Sequence, residues 1–93
     1  MIIGTCLIAL SIYAESLKDK RSVVKSIIAR VRNEFNVSIA EVDDHDVWNQ
    51  AIIGVACVST SQAHAHSQLE KVVDFIEKRR PDAPLITYEI EML

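Results

Sequence analysis

The chain has 93 residues, 49% of them apolar and 25% charged, with two Gly, two Pro and two Cys, a balance that fits an ordinary globular domain and excludes disordered, collagenous and repeat architectures. Ten Lys and Arg against thirteen Asp and Glu leave a formal net charge of −3, so any attraction to nucleic acid or an anionic surface has to come from a local patch. A chain this short buries roughly 60–65% of its unfolded surface, which predicts a single domain over residues 1–93 with one core and no enclosed cleft between domains.

Residues 2–12 place Ile2, Cys6, Ile8, Leu10 and Ile12 on one face at period two, with Thr5 and Ser11 on the other, and read as a strand. Ser16 with Asp19 resembles a capping box, and Leu17, Val24, Ile27, Ile28, Val31 and Phe35 then recur at helical spacing to about residue 34, with Asn36 as the stop. Residues 37–42 and 48–58 read as two strands of a hairpin joined by the acidic turn Asp43, Asp44, His45, Asp46. Trp48 opens the second of these strands and is expected to anchor the core, with base stacking or an interface as the other uses of an aromatic there. Ser59 with Gln62 marks a second helix start, and Ala65, Leu69, Val72, Val73 and Ile76 form its buried stripe to about residue 79, ahead of Pro81 and Pro84. The last run alternates Ile86, Tyr88, Ile90 and Met92 against Thr87, Glu89 and Glu91, a strand with one polar face.

The order β-α-β-β-α-β predicts a ferredoxin-like α+β fold, a four-stranded antiparallel sheet with both helices on one face. Right-handed crossovers put the first and third strands at its centre. Residues 51–58 are apolar on both faces, yet the helices cover only one. Ile3, Leu7 and Ala9, with one set of residues from the third strand, should therefore form an exposed apolar patch, and a homodimer through the sheet face is the expected occupant.

Six of the ten basic residues lie between Lys18 and Arg32, where Asp19 is the sole acid. At 100° per residue Lys18, Arg21, Lys25 and Arg32 form a ridge beside the apolar arc, able to grip phosphates or to remain a solvated helix face. Lys20 falls inside the arc, so its ammonium must snorkel out or meet a carboxylate such as Asp43 or Asp46. An anion held by Lys18, Arg21 and free helix N–H groups is the alternative use of this end. The acidic turn lacks calcium-loop spacing and reads as a turn. His64 and His66 are two apart and cannot form a helical zinc pair; His64 should be exposed and His66 should pack at the core edge. Cys6 and Cys57, isolated in apolar runs, read as buried hydrophobes in a reduced compartment rather than as a disulfide or metal site. No nucleophile is set beside His45 and no glycine-rich phosphate loop exists, which predicts a protein that is not an enzyme and carries no cofactor; Lys20, His45 and Asp46 would be the acid and base candidates otherwise. The longest uncharged stretch, residues 1–14, is too short to span a bilayer and has no Lys or Arg ahead of it, so the expected address is cytoplasmic with no membrane partner.

The run Ser16-Leu17-Lys18-Asp19-Lys20-Arg21-Ser22-Val23-Val24 resembles the helix-opening signature of the small bacterial YlxP-like family. Phe35-Asn36-Val37-Ser38, Ala40-Glu41-Val42 and Asp46-Val47-Trp48 followed by Ala51 and Gly54 look like the rest of that pattern in order and spacing, so the likeness covers nearly the whole chain. The resemblance implies a single ferredoxin-like domain of unassigned activity, in a genomic setting beside translation-initiation and ribosome-maturation genes that suggests an RNA or ribosome-assembly partner. It supplies no catalytic residues, and the matching Lys18, Lys20, Arg21, Glu41, Asp46 and Trp48 stand as candidates. The combined expectation is a non-enzymatic binding protein that meets RNA or a ribosome-assembly partner through the helix ridge, with a homodimeric small-ligand or anion-binding module as the alternative.

Overall fold

A computed structural model describes all 93 residues. The elements are β1 (Ile2–Ser11), α1 (Leu17–Glu34), β2 (Ser38–Asp43), β3 (Gln50–Ser59), α2 (Gln62–Arg79) and β4 (Leu85–Met92). The sheet order is β2-β3-β1-β4, and every neighbouring pair is antiparallel. The ferredoxin-like α+β plan therefore stands as read from the alternation and helical periods, with β1 and β3 central.

Period two decides which side chains the helices cover. Cys6, Ile8 and Leu10 of β1 and Ala51, Ile53, Val55 and Cys57 of β3 are buried, and they meet Val24, Ile27 and Val31 of α1 and Leu69, Val72, Val73 and Ile76 of α2 in a single core. Gly4 belongs to this inner face, where a Cβ would lie 3.1 Å from Leu69 Cδ1 and 3.2 Å from Met92 Cε, so the strand approaches α2 closely at that point. Cys6 and Cys57 are free and buried, as small hydrophobes would be.

Four local expectations are corrected. α2 is capped by Ser61, whose hydroxyl accepts from the His64 N–H, while the hydroxyl of Ser59, two residues earlier at the end of β3, accepts from the Ser61 N–H. β3 begins at Gln50, so Trp48 lies in the connecting turn and is 51% exposed rather than a core anchor. The reason is register: the ladder pairs Glu41 with Ile53 and Asp43 with Ile52, and the chain turns through Asp44 at a left-handed φ of 58° before Trp48 can join it. In β4 the register shifts between Ala9 and Leu10 of β1, which turns Leu85 toward the core and leaves Ile86 exposed. His66 is exposed and lies 3.8 Å from Glu70 instead of packing at the core edge; His64 is exposed as expected.

Candidate functional site

The charged end of the sheet forms where α1 begins and β2 turns toward β3. Ser16 caps α1 by accepting from the Asp19 N–H at 3.1 Å, and the Asp19 carboxylate reaches back to the Glu15 N–H at 3.1 Å. The Ser16 half is that of the predicted capping box, while the return bond falls on Glu15, one residue before the cap, instead of on Ser16 itself. This arrangement also places the chain's own carboxylate where an external anion would sit, which weighs against the anion-binding use of this end.

Lys20 is fully buried, and its Nζ donates to Glu41 Oε2 at 2.6 Å and to the Asp44 carbonyl at 2.8 Å. The expectation that Lys20 meets a carboxylate holds, but neither Asp43 nor Asp46 supplies it. Asp43 spends its carboxylate on the Asp44 N–H at 2.8 Å, and Asp46 points outward, 3.6 Å from Arg21, with its side chain 92% exposed. Glu41 could have been found by counting: Ile39 is a core residue, so Glu41, two positions along β2, faces the same way. The positive φ at Asp44 aims its carbonyl back at the helix, and His45 Nε2 lies 3.1 Å from the Glu41 carbonyl. Lys20, Glu41, Asp44 and His45 thus tie the first turn of α1 to the hairpin. No hydroxyl or thiol is hydrogen-bonded to His45, so this end holds an ion pair and a turn, with no nucleophile and base in contact.

Burial removes Lys20 from the ridge, and the other cations remain on it. Lys18, Arg21, Lys25 and Arg32 are all exposed along the side of α1 that overhangs β2. Arg21 is the only one within ion-pair distance of an acid, and both partners are mostly exposed; Lys18, Lys25 and Arg32 have none. Arg32 instead donates Nη2–H to the Ile39 carbonyl at 3.2 Å, which carries its guanidinium to the edge of the sheet. Trp48, in the turn between β2 and β3, carries an exposed indole. No group of three or more His, Cys, Asp or Glu side chains is placed to hold a metal ion, and no helix is long and apolar enough to cross a membrane.

The sequence of residues 3–90 matches the family model described as "Protein of unknown function (DUF503)". The chain belongs to this family. Among its relatives is the Bacillus subtilis (strain 168) protein named "Uncharacterized protein YlxP", 45% identical over 64 residues that make up 69% of this chain and 70% of that one. The resemblance noted in the helix-opening run is therefore a family relationship. In fold, the chain is similar to the solution NMR structure of a de novo designed ferredoxin-fold protein, LFR1 1, with a TM-score of 0.53 and 16% identity over 98% of this chain and 85% of that chain. That likeness concerns the backbone architecture alone.

Proposed function

We propose that the protein is a non-enzymatic binding protein that engages RNA through the overhanging side of α1, with Lys18, Arg21 and Lys25 facing the phosphates and Arg32 at the margin. The observation that carries this reading is the row of four exposed cations with one weak acidic partner among them; of the six other basic residues, Lys20, Lys78 and Arg80 lie beside acids, and Arg30, Lys71 and Arg79 are not gathered into such a row. Phosphate contacts of this kind position a protein on RNA without reading its sequence. The net charge of −3 removes any broad field, so the attraction is local and few phosphates are neutralised. The translation setting implied by the family resemblance points to RNA as the polyanion, and an assembling ribosomal particle is the partner that fits best.

Titrating the full chain into a fluorescent single-stranded RNA across a series of salt concentrations tests this. Three or four phosphate contacts give a slope of log K against log salt of about −2 to −3. Lys25→Glu should weaken binding alike for unrelated RNA sequences. Absence of binding at low salt, or affinity indifferent to salt, overturns the reading.

A further inference from the structure

The face of the sheet opposite the helices has no cover within the chain. It presents Ile3, Leu7 and Ala9 from β1, Ile52, Gly54, Ala56 and Val58 from β3 and Val42 from β2, with Leu7 53%, Val42 50% and Val58 68% exposed. Its acids lie at the margins, Glu89 and Glu91 along β4 and Asp43 at the end of β2; it bears no Lys, Arg or His and no aromatic ring. A face without cations or stacking platforms suits neither nucleic acid nor an anionic lipid surface.

The geometry points to a second copy of this chain as the occupant, in a twofold dimer whose axis runs parallel to the strands between β1 and β3. Register carries the argument. One row across the sheet reads Ala40, Gly54, Leu7, Glu89, and the next two read Ser38, Ala56, Thr5, Glu91 and Asp43, Ile52, Ala9, Thr87. Rotation about that axis lays β1 of each copy over β3 of the other. Leu7, near the midpoint of β1, then faces Gly54, near the midpoint of β3, and Ala9 faces Ile52; large meets small on both sides of the axis. Gly54 lacks a side chain, and Val42 leans into that space, since a Cβ there would be 2.8 Å from Val42 Cγ1. The surface that Leu7 of the second copy meets at Gly54 is therefore apolar and supplied by Val42.

Charge chooses between the two ways of stacking such faces. An axis across the strands would bring Glu89 and Glu91 against the same residues of the second copy, an unfavourable like-charge contact. The axis along the strands lays β4 over β2, where the Arg32 guanidinium lies at the Ile39 carbonyl, in line with Ile90 and hence between the levels of Glu89 and Glu91. Four strands about 4.8 Å apart and about 26 Å long offer on the order of 500 Å² per copy, so the pair buries about 1,000 Å², the lower bound for a specific interface. The dimer is consequently reversible, and it commits Arg32 to the seam while Lys18, Arg21 and Lys25 stay free on α1.

Sedimentation velocity of the full chain over a wide concentration range tests this directly. The expected result is a mass rising from 10.4 kDa toward twice that value. Leu7→Arg and, separately, Val58→Lys change half-exposed or exposed side chains and should hold the protein at the monomer mass with an unchanged circular dichroism spectrum. Arg32→Glu should weaken association at least tenfold, and adding Glu89→Arg and Glu91→Arg should restore it. A wild type that stays monomeric at every concentration overturns the dimer, as does a dimer indifferent to both face variants. A dimer that the face variants dissociate but that ignores the charge exchange overturns the orientation along the strands.

Discussion

Lys20 carries an ammonium into a position with no exposure, and its two oxygen partners decide what each substitution does. Glu41→Ala leaves that charge with the Asp44 carbonyl alone, so it should cost about 3–5 kcal/mol. Lys20→Met should cost less, because the Glu41 side chain retains 13% exposure and can turn to water. Replacing both, Lys20→Met with Glu41→Leu, should return stability to within about 1 kcal/mol of the parent, since apolar substitutes for a buried pair are often neutral. Urea unfolding of the three variants gives the order. At the same scale, burial first and the Glu70 charge second push the Cys6 thiol from 9.0 up to about 11, against a smaller lowering by a backbone hydrogen bond at Glu89. The hydrogen bond from Tyr88 to Glu70 likewise raises the phenol above its ordinary 10.0. Both groups are raised in the folded state, so each contributes stability that is whole below its unfolded value and lost as pH rises; for Cys6 that loss runs from pH 9.0 to about 11. Urea midpoints should therefore fall between about pH 8 and about pH 10.5, and Cys6→Ala with Tyr88→Phe should flatten that fall.

Among the elements, the two helix starts make a controlled comparison. Ser61→Ala removes the hydroxyl that accepts from the His64 N–H and should cost about 1 kcal/mol. Ser59→Ala removes a bond made outside the helix and should cost less, a difference that thermal melting of the two variants resolves. Ser59 and Ser61 also show where the sequence stops being legible. Either serine can open the helical pattern that follows, and only the path of β3 into the turn selects between them. The alternation in β1 and the apolar stripes of both helices are repeated over many residues and survive such local choices, so order, sheet and core were readable. The bulged register at Glu41/Asp43 and Ala9/Leu10 depends on one residue each and leaves no periodic trace. For the same reason the charged end is legible but its carboxylate is not: the density of acids in the turn points to Asp43 and Asp46, whereas Glu41, which meets Lys20, sits in the strand.

For the molecule as a whole, charge and apolar surface are sorted to different sides. Cations line α1 above β2, acids line the outer margin at β4, and the uncovered face between them bears none of the cations. Because a partner that binds only the folded state stabilises it, the melting temperature should rise with protein concentration in the parent and stay constant in Leu7→Arg, as differential scanning fluorimetry over a dilution series would show. The placement of β1 has a further consequence. It is the earliest strand in the chain and the one that both β3 and β4 pair with, and the Leu93 N–H even donates to the Ile3 carbonyl at 2.8 Å. During synthesis β1 therefore emerges before either of the strands it pairs with, and the sheet closes on it only once β4 has followed. Between the emergence of β3 and that of β4, the nascent chain carries β1 with one edge still unpaired, the kind of open apolar strand edge that invites pairing with another chain.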